Sequence, residues 1–188
     1  MHITAGSLKG RKLLSPEGGV IRPSASRTRE AMLNLLLHAP PPGGLPSCIV
    51  GQRIADLCCG SGLLGFEALS RGAEALCFVD ADRQSLALTR ANARHLRVEE
   101  KTSFLQADIR SLPSCPQPCA AVFADPPYRQ GLEPPLMAAI VAGNWLVPGG
   151  YLALEMAAED ALPDVAGLDL YRDRRYGKAR VVVFRRAP

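Results

Sequence analysis

Apolar residues in this chain come in short runs, and the stretches between them carry helical spacing or turn residues. Residues 53–57 read as a strand that passes through a glycine turn into a helix over 63–71, closed by Gly72. A strand over 75–79 and a helix over 84–96 follow, then strands over 104–107 and 120–124. Residues 132–141 are spaced as a helix, Pro148-Gly149-Gly150 marks a turn, and 151–154 form a fifth strand. Two more strands, 168–171 and 181–184, are joined around Gly177. This alternation predicts an α/β chain with a doubly wound, mostly parallel sheet, and the closing pair adds an antiparallel edge strand.

The first 45 residues read differently. Residues 3–14, broken by Gly6 and Gly10, suggest a short hairpin. After Arg22-Pro23, the run Ser24-Ala25-Ser26 supplies helix caps for a helix over 27–38. Ala31, Leu35 and His38 share one face of it, with Met32 and Leu36 alongside. Ala39-Pro40-Pro41-Pro42-Gly43-Gly44-Leu45-Pro46 is dense enough in proline and glycine to be a linker. The organisation expected is an N-terminal extension over 1–45 and an α/β domain over 46–188.

At 188 residues, 47% hydrophobic and 21% charged, the chain has the bulk of one ordinary globular domain. No apolar run approaches the roughly 20 residues of a membrane span, and no leader-like stretch opens the chain, so a cytoplasmic monomer is expected. The six cysteines include no C-x-x-C pair, which points to reduced thiols and to no metal. Charge is segregated within the net +4: residues 1–30 and 171–188 together carry +10, and the middle carries −6. Clustered cations at both ends fit a nucleic-acid partner, because they displace counterions from phosphates. Lys9, Arg11, Lys12, Arg22, Arg27, Arg29, Arg175 and Lys178 are the residues expected to meet the nucleic acid.

Gly60-Ser61-Gly62-Leu63-Leu64-Gly65 matches G-x-G-x-x-G, with Asp80 at the end of the next strand. On spacing alone this is a dinucleotide fingerprint. Asp56 separates the readings. A carboxylate beside the loop repels a pyrophosphate but attracts a ligand bearing an ammonium and a sulfonium, as S-adenosylmethionine does. Asp56 is then expected to face the methionine portion, with Cys58, Gly60, Ser61 and Gly62 forming the loop. Asp80, beside Ala81, takes the ribose hydroxyls. Asp108 takes the adenine amino group, with Ile109 covering the ring; its alternative role is a turn cap. Asp82 reads as the cap of the next helix.

The second motif, Asp125-Pro126-Pro127-Tyr128, follows a strand directly. Its prolines remove N–H donors and leave carbonyls as acceptors. The Asp125 carboxylate and the Pro126 carbonyl can each accept from an exocyclic amine, with Tyr128 stacked on the flat base. Positioning then supplies most of the rate. A covalent cysteine route and triads built on His2, His38 or His95 find little support in the spacing.

On these motifs the chain resembles the RsmD-type 16S rRNA (guanine-N2)-methyltransferase family. The likeness runs through Ala5-Gly6, Gly10-Arg11-Lys12-Leu13, Arg22-Pro23, Arg27-x-Arg29-Glu30-Ala31-Met32-Leu33-Asn34, the glycine loop through Gly72, Asp125-Pro126-Pro127-Tyr128 and Arg175-Tyr176-Gly177. Ser26 replaces the family's usual acidic residue, and Cys58-Cys59 its usual Phe-Ala. The resemblance implies a Rossmann-like class I methyltransferase sheet and S-adenosylmethionine as cofactor. It also implies a guanine N2 amine of 16S rRNA, in a partly assembled small subunit, as acceptor, with the extension gripping the RNA. Guanine comes from the resemblance alone. Other readings are an adenine-N6 or cytosine-N4 amino-methyltransferase of DNA or RNA, a non-catalytic RNA-binding module and a nicotinamide oxidoreductase.

Overall fold

In the computed structural model of the chain, residues 1–15 and 23–187 are described, with side chains of the first helix from Ser26 onward. Arg22, one of the expected RNA contacts, lies outside them. A seven-stranded sheet runs in the order β3-β2-β1-β4-β5-β7-β6. Its strands are β1 (Arg53–Leu57), β2 (Ala75–Asp80), β3 (Thr102–Gln106), β4 (Cys119–Ala124), β5 (Leu146–Ala157), β6 (Leu168–Tyr176) and β7 (Ala179–Arg186). The first five pair in parallel; β7 runs antiparallel to both neighbours and carries β6 at the edge. This is the mostly parallel sheet with an antiparallel edge that the alternation predicts, and it has the form that the resemblance implies.

The central strands are apolar along their whole length because both faces are covered. Ile54, Phe78, Phe123, Ala153 and Val183 point into one core with helices α1 (Pro23–Leu37), α2 (Leu63–Ser70) and α3 (Arg83–Leu96). Ala55, Leu57, Val79, Val122, Leu154 and Val182 point the other way, onto α4 (Glu133–Ala142) and the buried Trp145. The chain leaves β1 toward β2 and β3 on one side and returns to β4 on the other. The sheet's switch point, where α/β sheets bind ligands, therefore lies between β1 and β4.

Some expectations need correction. The helix α1 begins at Pro23, so Ser24-Ala25-Ser26 lie within its first turn and do not precede it as caps; proline is well suited to that first position. Among its described side chains, Thr28, Ala31, Met32, Leu33 and Leu36 are buried, while His38 is exposed beyond its end. Pro148-Gly149-Gly150 is an irregularity inside β5, where the register with β4 slips between Cys119 and Ala121 and Gly149 takes φ +74°. The proline-rich linker is packed: Pro42 is buried, and the Pro40 carbonyl accepts from the Tyr151 hydroxyl at 2.9 Å.

Residues 1–14 form a hairpin-like loop joined by Ile3 N–H to the Arg11 carbonyl at 2.9 Å and Leu13 N–H to the Met1 carbonyl at 3.0 Å. The loop is docked on α2 and α3. Ser7 N–H donates to the Ser70 carbonyl at 2.7 Å, Thr4 N–H to Glu67 at 2.8 Å and Leu14 N–H to Asn92 at 2.7 Å. Ile3 and Leu13 join the same core as the sheet.

Candidate active site

The register of the sheet assembles the site. Leu57 pairs with Val79 on one side and Ala124 on the other, and Ala124 pairs with Leu154. The next residue on each strand is Cys58, Asp80, Asp125 and Glu155, so three carboxylates and the start of the glycine loop emerge at one height. Asp56 lies one step below, in register with Phe78 and Phe123 and only 2% exposed. Its Oδ2 accepts from the Gly65 N–H of α2 at 2.9 Å. Burial, and next the like charges of Asp125 and Asp80, push this carboxyl well above the usual range despite that hydrogen bond. An incoming cation relieves both penalties.

The glycine loop is held from several directions. Gly60 N–H donates to Asp80 at 2.9 Å, the Thr89 hydroxyl donates to the Gly60 carbonyl at 2.7 Å, and Asn92 donates to the Ser61 carbonyl at 3.0 Å. Cys58, at φ +58°, adopts a left-handed turn without being glycine. The glycines divide in purpose. At Gly62 a Cβ would sit 2.7 Å from Phe66 and Thr89, so the protein's own packing demands glycine there. At Gly60, with φ +54°, a Cβ would meet nothing within 4 Å.

Two cavities meet at Asp125 and Glu155. One, of about 210 Å³, is walled by Asp56, Cys58, Cys59, Gly60, Ser61, Leu63 and Leu64 with Met1, Arg29 and Met32 of the N-terminal region. The other is an open cleft of about 1000 Å³ containing Asp125, Pro126, Pro127, Tyr128, Glu159, Arg175 and Lys178. The Tyr128 hydroxyl donates to Glu155. Sequence reading missed Glu155, a 5%-exposed carboxylate in an otherwise apolar strand. The same signal that marks Asp56 marks it.

The expected site residues are not all gathered at these cavities. Asp80 stands beside the loop, its Oδ1 accepting from Asp82 N–H at 2.9 Å and its Oδ2 from Gly60. Ala81 is exposed next to it. Asp82 caps α3, as its spacing predicts. Asp108 caps a short 3-10 turn and pairs with Arg110, which lowers its carboxyl to about 2, while Ile109 is buried in the core beneath. The cap that was its alternative reading is thus present. Lys9, Arg11, Lys12 and Arg27 are exposed, and Arg11 donates to the His95 carbonyl at 2.8 Å. Arg29 stands apart from them, half-buried and facing carboxylates.

The thiols beside the loop are poor nucleophiles. Burial pushes Cys58 up to about 12, with Asp80 and Asp56 adding to the shift, and Cys59 moves the same way. The site thus combines an acidic pocket suited to a cation, rigid carbonyl and carboxylate acceptors, an aromatic ring and no activated thiol.

The whole chain has relatives of similar length. The family model described as conserved hypothetical protein 95 matches residues 1–185. The ribosomal RNA small subunit methyltransferase D of Escherichia coli K12 is 30% identical over 194 residues, covering 99% of this chain and 90% of that protein. Its namesake from Haemophilus influenzae is 30% identical over 187 residues, covering 94% and 89%. The solved structure of yhhF from Escherichia coli, described as a putative methyltransferase, superposes with a TM-score of 0.82 at 28% identity, over 100% of this chain and 98% of that one. With extension, glycine loop and Asp-Pro-Pro-Tyr all inside the match, the chain belongs to the conserved hypothetical protein 95 family, beside the ribosomal RNA small subunit methyltransferase D proteins.

Proposed function

We propose that this chain is an S-adenosylmethionine-dependent methyltransferase acting on the N2 amine of a guanine in small-subunit ribosomal RNA. The observation that carries the reading is the wall of Asp125 and Glu155 shared by the carboxylate-floored pocket and the open cleft. The pocket suits a cationic ligand, and its three carboxylates, Asp56, Asp125 and Glu155, oppose a pyrophosphate. The cofactor supplies an electrophilic methyl group when bound.

The chain's own residues do the rest. Asp125 and the Pro126 carbonyl accept from the two amine hydrogens and turn the nitrogen lone pair toward the pocket. Tyr128, steadied by Glu155, bears on the base. Arg175 near the end of β6 and Lys178 on the β6–β7 turn line the cleft and offer contacts for the phosphates flanking a flipped-out nucleotide. The exposed Lys9, Arg11, Lys12 and Arg27 extend that grip from the N-terminal region, and Arg22 is proposed to join them. Guanine is taken from the resemblance to the RsmD-type family alone; the names of the relatives support small-subunit ribosomal RNA as the substrate.

Transfer of labelled methyl from S-adenosylmethionine to unmodified 16S rRNA and to partly assembled small subunits, followed by nucleoside analysis, tests this. Label in N2-methylguanosine is the expected result. Label in a methylated adenosine or cytidine, or in DNA only, defeats the substrate assignment.

A further inference from the structure

Resting on that reading of the pocket, we propose that Arg29 is the residue that holds the α-carboxylate of the bound methionine moiety. Helix α1 then builds the cofactor site as well as the RNA-facing extension. Three observations meet here.

First, Arg29 is the one cationic side chain lining the small pocket among the described residues, opposite Asp56, Asp125 and Glu155. Second, the guanidinium forms no ion pair among the described residues. The ion pairs among the described residues are Arg71–Glu67, Arg110–Asp108, Arg129–Glu159 and Arg180–Asp173, none of which includes it. Glu67, the carboxylate with the largest influence on Arg29, is already tied to Arg71 and to Thr4 N–H. Third, the first turn of α2 reaches the same wall through Leu63 and Leu64. Phe66 N–H to the Gly62 carbonyl is that helix's first bond, so the N–H groups of Leu63 and Leu64 precede it.

The ligand's charge pattern explains why such a residue is needed. S-adenosylmethionine carries two cations and one carboxylate. The acidic floor welcomes the sulfonium and ammonium, but it repels the carboxylate unless a cation stands opposite. A guanidinium presents paired N–H donors that match a carboxylate, and it stays protonated even when partly desolvated. Burial does lower its affinity for the proton, and the surrounding carboxylates oppose that shift. The arginine that sequence position groups with the RNA-binding cations is thereby assigned a different ligand.

The test compares S-adenosylmethionine with its decarboxylated form, which keeps both cations and lacks only the carboxylate, by calorimetry on the full chain. Wild type is expected to prefer the intact cofactor by about 10- to 100-fold. Arg29→Gln should erase that preference by weakening the intact cofactor alone, and Arg29→Lys should keep part of it. Equal affinity of wild type for the two ligands overturns the inference with no variant needed. So does an equal loss of both ligands in a folded Arg29→Gln. If wild type binds neither ligand, the methyltransferase reading itself fails, and the inference with it.

Discussion

Replacing Asp56 by Asn pits stability against ligand binding. The side chain is 2% exposed, keeps like-charged Asp80 and Asp125 as neighbours, and has one backbone hydrogen bond, from Gly65 at 2.9 Å. Asparagine has the same shape and its amide oxygen can accept that bond, so the change removes charge and little else. Because burial raises the carboxyl in the folded state, the unfolded chain gives up its proton first. Wild-type stability therefore falls as pH rises from the unfolded value near 4, and levels off above the folded one. Each tenfold increase in proton affinity corresponds to about 1.4 kcal/mol, and one kcal/mol moves Tm by about 2–4 °C at this chain length. Asp56→Asn should therefore melt higher than wild type near pH 8, by about 3–6 °C for each such tenfold, with the gain fading toward pH 4. The same substitution should weaken S-adenosylmethionine by about tenfold or more, since a unit charge within several ångströms is worth a few kcal/mol at an effective dielectric near 20. Thermal melts across pH, paired with calorimetry, read both. A variant that melts lower at every pH, or that binds the cofactor as wild type does, refutes the reasoning.

Tyr128→Phe leaves the ring and strands Glu155 without its donor, so turnover should fall by about tenfold with cofactor affinity kept; Tyr128→Ala, which also removes the stacking face, should fall further in single-turnover assays. Cys58, held up near about 12, should resist iodoacetamide at pH 7.4, and Cys58→Ala should retain turnover; rapid alkylation with loss of activity would contradict this. Gly6→Ala drives a Cβ to 1.8 Å from the Ser70 carbonyl oxygen at φ +82°, which should undock the hairpin and cost about 1–3 kcal/mol or more in a melt. Gly10→Ala, at φ +80° with nothing within 4 Å, bears only the backbone strain and should cost less. Joint loss of Arg11 and Lys12 should weaken RNA binding and lower its salt slope by about two.

Much of the sheet was legible because its inner strands are buried on both faces and therefore appear as unbroken apolar runs. β4, Cys119–Ala124, is one such run, and Gly72 closes α2 as its spacing suggests. The segment through Pro148-Gly149-Gly150 was not legible as strand, since the proline and the positive-φ glycine signal a turn whether the chain reverses or only bulges. Position along the chain also misgroups residues that face different ways on one helix. Arg27 and Arg29 lie two apart on α1, yet one is exposed and the other turns into the pocket. Asp56 and Asp125 stood out by their motifs. Glu155 belongs to no motif and is marked in the sequence only as a carboxylate in an apolar strand; the pairing of Ala124 with Leu154 sets it beside Asp125.

The central claim is that a carboxylate-floored glycine loop takes a cationic methyl donor and turns away a pyrophosphate. Calorimetric titration of the full chain with S-adenosylmethionine and, separately, with NAD measures it directly. Saturable binding of S-adenosylmethionine with no measurable heat from NAD is the predicted result. Tight binding of NAD with none of S-adenosylmethionine would contradict it.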